Sequence, residues 1–188
     1  MNVPIDLSLG VNGRLPQVYL TPGTLYCSSG PAVVSTVLGS CVSVCLVDRY
    51  NRAAGINHFV LPYNPDEKDS LRYGDVALDR LLERMSHLGC ASGTLRAKVF
   101  GGAAVLPFGE AQETVGTKNV RVAIEWLRNH SIPIVARWIG GTSGLSIRFY
   151  TGSGSVLVRR IASGIDVDIS RAIPNNTFCN DIGFDEKA

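Results

Sequence analysis

From Ala32 to Val47 the chain is apolar and β-branched apart from one small-residue corner, Leu38-Gly39-Ser40-Cys41, a pattern that predicts two strands joined by a turn. The segment after the corner, Val-Ser-Val-Cys-Leu-Val, is a poor helix, because its β-branched side chains lose rotamer freedom against a helical turn. A cysteine at the mouth of such a strand is presented by the flexible Gly-Ser corner and held still by the strand. Gly55 to Leu61 returns as a second extended segment, ended by Pro62 and Pro65 and separated from the first by polar Asp48 to Ala53. The two segments are expected to form a hairpin.

His58 lies on the returning segment, and the hairpin register decides whether it meets Cys41. Directly opposed antiparallel residues have positions with a constant sum and sit about 5 Å apart. A turn centred between Arg49 and Tyr50 pairs Cys41 with His58. A centre one residue further on sets His58 opposite Ser43, which shares a face with Cys41. Either register puts thiol and imidazole on one face, and a half-residue slip puts them on opposite faces. His58 therefore reads as a base for Cys41 or as a satisfied core histidine.

Elsewhere, apolar residues from Leu71 to Leu88 recur with helical spacing, with Ser70 placed to cap the segment and Gly89 to stop it. Val120, Ala123, Ile124 and Leu127 mark a second helix, capped by Thr117 or Asn119 and ended by Ser131 and Pro133. Short strands are predicted within Val18 to Cys27 and over 97–100, 132–139, 145–150 and 155–161, the C-terminal half being largely sheet. Without strict βαβ alternation, this mixture implies a mixed α/β fold of layered β-sheets with flanking helices. One domain is expected over 1–188, with an ordered core of about 18–168, a partly ordered N-terminal segment and a loose tail around Pro174 to Asn176.

Composition narrows the function classes. The chain has 188 residues, 45% of them hydrophobic, enough for a core without disulfide support. A net charge of +2 with scattered Lys and Arg excludes the electrostatic footprint of a nucleic-acid binder or a polybasic membrane anchor. No apolar stretch approaches the length of a spanning helix, and Met1 to Leu9 lacks the basic and apolar regions of a signal peptide, so a soluble, unexported chain without membrane insertion is expected. Five irregularly spaced cysteines, Cys27, Cys41, Cys45, Cys90 and Cys179, argue for a reducing compartment, with the cytoplasm as default. The acceptor patterns at Asn129 and Asn175 are discounted for want of a secretion signal.

Among the polar residues, Cys27, Cys45, Cys90 and Cys179 read as small buried hydrophobes, and His87 and His130 as polar groups near helix ends. A zinc site built from Cys41, Cys45 and His58 fails on spacing, since four residues of strand span about 13 Å and two ligands of one zinc ion lie within about 4 Å. Gly101-Gly102 and Gly140-Gly141 lack the context of nucleotide loops and read as tight turns or close backbone approaches. No cofactor and no metal is implied.

Ser35-Thr36-Val37-Leu38-Gly39-Ser40-Cys41-Val42, then Asp48, then Gly55-Ile56-Asn57-His58-Phe59-Val60-Leu61-Pro62, resemble the signature of the CheD family of chemoreceptor glutamine deamidases. The resemblance extends through Lys98 to Ala103, Val115 to Val120, Gly140-Gly141 and Gly154 to Arg160, covering roughly residues 18 to 161. It implies a fold related to bacterial toxin deamidases, and hydrolysis of selected glutamines of methyl-accepting chemotaxis receptors, with receptor glutamyl methylesterase activity as a second reaction. Cys41 corresponds to the nucleophile and His58 to its base. The family's third polar residue is a threonine six positions before the cysteine; here that position is Ser35, with Thr36 beside it, and either hydroxyl fits. Backbone N–H groups near Gly39, Ser40 and Cys41 are natural oxyanion donors. The resemblance also implies a CheC-type phosphatase as partner and, through it, the phosphorylated response regulator; a regulatory binding module is the alternative function. The chain departs from the family pattern at Ala54, where glycine is frequent, and at Leu145, where arginine is common.

Overall fold

The computed structural model describes residues 14–65, 69–104, 113–161 and the backbone of 166–173. Ten strands follow in chain order: β1 (Gln17–Tyr19), β2 (Thr24–Ser28), β3 (Val33–Leu38), β4 (Val42–Asp48), β5 (Ala53–His58), β6 (Leu95–Gly101), β7 (Ile134–Ile139), β8 (Gly144–Tyr150), β9 (Ser155–Ile161) and β10 (Asp166–Ile173). Helix α1 (Gly74–His87) lies between β5 and β6, and α2 (Val115–Asn129) between β6 and β7. The fold is mixed α/β.

Two five-stranded sheets form, one in the order β1-β3-β8-β9-β10 and the other β2-β5-β4-β6-β7. The first, the outer sheet, packs on the second through Val34, Leu38, Ile147, Phe149, Val156 and Val158, which meet Cys45, Ile56, Phe100 and Trp138. The opposite face of the second sheet carries Val42, Val44, Leu46 and Val99 against Leu78, Leu81 and Met85 of α1 and Val120, Ala123 and Leu127 of α2. The second sheet is thus the middle layer, and its strands β4 and β5 are buried at every residue. That explains why Val42 to Val47 reads as an unbroken apolar run while β8 alternates.

The hairpin of β4 and β5 takes the second of the two expected registers. Cys45 pairs with Ile56 and Val42 with Phe59, which sets Ser43 opposite His58 and Cys41 opposite Val60. The ladder opens locally beside His58, where the Val44 N–H donates to Asn57 Oδ1 at 2.9 Å.

Both helix starts differ from expectation. Ser70 does not cap α1, because it starts a turn closed by Tyr73 N donating to Ser70 O at 3.2 Å, after which Tyr73 bridges to Leu61, and the Arg72 carbonyl accepts from Val60 N at 2.8 Å and Leu61 N at 3.0 Å. The helix starts only at Gly74, where a Cβ would lie 2.8 Å from the Phe59 ring. In α2 neither Thr117 nor Asn119 is the cap; Thr114 Oγ1 accepts from Thr117 N at 3.1 Å. The backbone stays in strand through Ile173, past the Asp168 at which the sequence turns polar. Cys179, the Asn175 pattern, the tail around Pro174 to Asn176 and the first thirteen residues lie outside the described residues.

Candidate active site

Three connections carry the chain from the outer sheet to the middle sheet or back at the same end of the sandwich: β1 to β2, β3 to β4 and β7 to β8. The Leu38 to Cys41 corner is the second of these, and two glycine pairs hold it. At Gly101, φ is +104° and a Cβ would sit 2.2 Å from the Cys41 carbonyl oxygen, so only glycine fits. Gly102 N donates to Cys41 O at 2.8 Å and Ala103 N to Gly39 O at 2.9 Å. Gly140 N in turn donates to Gly101 O at 2.9 Å, so the third crossover braces the second. Of the two readings expected for these pairs, tight turn or close backbone approach, Gly101-Gly102 is a close approach, while Gly140 has positive φ and open space around it.

Side-chain parity assembles the rest. On β3, Val34, Thr36 and Leu38 face the middle sheet, while Ser35 points to the other face, its hydroxyl 3.4 Å from Val18 O. Thr36, not Ser35, therefore meets His58: Thr36 Oγ1 lies 2.8 Å from His58 Nδ1 and 2.7 Å from the Leu20 carbonyl. A carbonyl only accepts, so the single hydroxyl hydrogen goes to Leu20 O and the hydroxyl oxygen accepts from Nδ1–H. The neutral ring then carries its proton on Nδ1 and a bare lone pair on Nε2. That nitrogen is buried and has no hydrogen-bond partner among the described residues.

Cys41 is half-buried and packs against the inter-sheet core, the side on which Thr36 and His58 lie. As the diagonal neighbour of the Ser43–His58 pair, it stands where Cβ atoms are about 7 Å apart, a gap that a thiol and an imidazole can bridge. Burial raises the Cys41 thiol above its ordinary pKa, against the opposing pull of its own N–H and the Arg72 charge. Burial also lowers the His58 imidazole, with the Leu20 carbonyl pulling the other way. Both shifts favour the uncharged forms, thiol and neutral imidazole.

Of the other described cysteines, Cys45 and Cys90 are buried and Cys27 is half-buried like Cys41. Burial drives Cys45 far up, holds Cys27 at about 12 and, with Asp48 adding, Cys90 at about 11. Among the described residues, no three His, Cys, Asp or Glu side chains group as metal ligands. None of the described helices is long and apolar enough to cross a membrane.

Asn119 belongs to this site although its sequence position suggests a cap. It is fully buried, and its amide donates to Ser40 O at 2.9 Å and Val60 O at 2.8 Å. A signal was present: Asn119 lies in the stripe Gly116, Val120, Ala123, the buried face of α2.

A family model described as CheD chemotactic sensory transduction matches residues 60–160. The chain belongs to the CheD family. It is 66% identical over 160 residues to a probable chemoreceptor glutamine deamidase CheD of Rhodospirillum rubrum, covering 85% of this chain and 91% of that one. Counterparts carrying the same description in Geobacter sulfurreducens and Anaeromyxobacter dehalogenans are 40% and 39% identical over 148 and 152 residues, covering 79% and 81% of this chain and 92% and 88% of theirs. The family match begins after Cys41 and His58, whereas a 160-residue alignment in a 188-residue chain necessarily includes both positions. A solved Neisseria meningitidis structure superposes at a TM-score of 0.40 with 13% identity over 68% of this chain and 63% of that one, too loosely to add to the argument.

Proposed function

We propose that the chain is a chemoreceptor glutamine deamidase in which Cys41 is the nucleophile, His58 the general base and acid, and Thr36 the residue that orients the imidazole. The observation that carries this reading is the Leu20–Thr36–His58 chain of hydrogen bonds, since it engages Nδ1 and leaves Nε2 without a proton or a partner among the described residues, on a ring that shares the inter-sheet face with Cys41. His58 Nε2 takes the thiol proton as Cys41 Sγ attacks the glutamine side-chain carbonyl, and the carbonyl oxygen becomes an oxyanion. Backbone N–H groups of the Gly39 to Cys41 corner receive that charge, a contribution of about 3 kcal/mol where donors are well placed. The imidazolium passes its proton to the departing ammonia, and water, deprotonated by the same nitrogen, cleaves the thioester to glutamate. With methanol as leaving group, the same steps hydrolyse a receptor glutamyl ester.

The substrate is a methyl-accepting chemotaxis receptor, and the site of action is the cytoplasm. The Rhodospirillum rubrum relative's description supports the substrate class. A CheC-type phosphatase is a second partner, linking the chain to the phosphorylated response regulator.

A receptor fragment incubated with the protein should gain about one mass unit at particular glutamines. That gain should vanish in Cys41→Ala and persist in Cys45→Ala, because only the nucleophile is indispensable. No gain with folded wild-type protein, together with tight phosphatase binding, would replace the enzyme with a regulatory binding module.

A further inference from the structure

We propose that Asn119 is a positioning residue that aims the Cys41 N–H at the developing oxyanion; the inference rests on the deamidase reading and goes beyond it. Three successive carbonyls of the corner are held: Gly39 O by Ala103 N at 2.9 Å, Ser40 O by Asn119 Nδ2 at 2.9 Å and Cys41 O by Gly102 N at 2.8 Å. In a planar trans peptide the carbonyl and the following N–H point in opposite directions. The next unit along shows this directly, since Cys41 O turns to Gly102 while the Val42 N–H turns to Phe59 O at 3.1 Å on the other side.

Applied to the Ser40–Cys41 peptide, the same geometry assigns the Cys41 N–H a direction. Asn119 sits on α2, beneath the helix-facing side of the middle sheet, and draws the Ser40 carbonyl down to it. The Cys41 N–H is thereby turned to the opposite side, where its own sulfur, Thr36 and His58 lie. No backbone carbonyl among the described residues accepts from it, and it interacts with the Cys41 thiol. Asn119 also ties this peptide to Val60, the residue opposite Cys41 and two beyond His58, so one amide fixes the donor relative to the base strand.

The chemistry of the amide fits this task. Both contacts are carbonyl oxygens, which only the NH₂ group can serve, and Oδ1 is left buried with no partner among the described residues. A residue present only to fill space on α2 has no need of two donors, and leucine, with the same branching, would fill it without an orphaned acceptor.

The test compares wild type, Asn119→Leu and Asn119→Ser, the last keeping one hydroxyl donor, with thermal melts confirming that each is folded. Deamidation of a glutamine-containing receptor fragment is followed by ammonia release, and Cys41 alkylation by iodoacetamide is followed across pH. Alkylation needs the thiolate and no oxyanion donor. Asn119→Leu is expected to lower kcat about 100-fold with KM within twofold. Its alkylation midpoint should move to higher pH while the rate at the high-pH plateau stays unchanged, and Asn119→Ser should fall between the two. Should the variants lower deamidation and plateau alkylation by the same factor, or change neither readout, the positioning role is overturned. Wild type that fails to deamidate, with the alkylation midpoint still displaced in Asn119→Leu, would overturn the deamidase reading and leave the orientation of the N–H standing. If Asn119→Leu does not fold, Asn119→Ser decides on the same two readouts.

Discussion

The two ends of the β4–β5 hairpin are built to opposite rules. At the turn, the Asp48 carboxylate accepts from Tyr50 N at 2.9 Å, Asn51 N at 3.1 Å, Asn51 Nδ2 at 3.0 Å and Thr94 Oγ1 at 2.5 Å. At the other end Ser43 Oγ, Asn57 Nδ2, His58 Nε2 and Asn119 Oδ1 are buried without a partner among the described residues. One end satisfies its polar groups and secures the fold. The other leaves groups unmatched on both faces of the middle sheet, Ser43 and His58 on the inter-sheet side with Cys41, and Asn57 and Asn119 on the helix side, an arrangement that costs stability.

Substitutions at the two ends should therefore separate activity from stability. The largest effect is expected for His58→Gln, which keeps a polar group beside Thr36 but removes the base; kcat should fall about 1000-fold in a deamidation assay. Thr36→Val should follow, with kcat lowered on the order of 100-fold and the acid limb of its pH profile altered, because the ring loses its fixed tautomer. In wild type that limb should lie below 6.5: burial lowers the His58 pKa, activity needs the uncharged ring, and it is lost as pH falls through that value.

At the turn, Asp48→Asn should leave kcat within twofold and cost about 2 kcal/mol, roughly 5 °C in Tm. Burial alone would raise this carboxyl, but the hydrogen bonds from Thr94, Asn51 and Tyr50 outweigh it and hold the pKa at about 2. A group depressed in the folded state stabilises above its unfolded value and loses that contribution as pH falls through the folded one. The Tm gap between wild type and Asp48→Asn should accordingly close between about pH 4 and pH 2. A kcat loss in Asp48→Asn as large as in Thr36→Val would break the division between the two ends.

The smallest effect separates the two glycine pairs. Gly140 has φ +75° with nothing within 4 Å of an added Cβ, so Gly140→Ala should cost only about 1 kcal/mol of strain. Gly101→Ala, aimed at the Cys41 carbonyl, should destabilise more and lower kcat as well, measurable as a drop in both Tm and turnover.

Much of this is legible in the sequence, and the rest is not, for identifiable physical reasons. Cys41 and His58 stand out because a small-residue corner precedes one strand and a histidine lies at matching parity on the next. The choice between Ser35 and Thr36 was hidden because Val33-Val34-Ser35-Thr36-Val37-Leu38 is apolar at both parities, so the inward face of β3 cannot be told from its pattern. The two helices follow from their spacing, but their starts depend on the Leu61–Tyr73 bridge and the Thr114 hydroxyl, which are tertiary and local choices that periodicity does not encode. Asn119 suggests a cap because asparagine favours that role, and its two acceptors lie 79 and 59 residues away in sequence.

In the proposed mechanism Thr36 fixes the His58 proton on Nδ1 and leaves Nε2 bare to activate Cys41. Nitrogen-15 NMR of the histidine rings near pH 8 tests it most directly. His58 is expected to show a protonated Nδ1 and an unprotonated Nε2, with the preference lost in Thr36→Val. A His58 ring carrying its proton on Nε2 in the wild-type protein would contradict it.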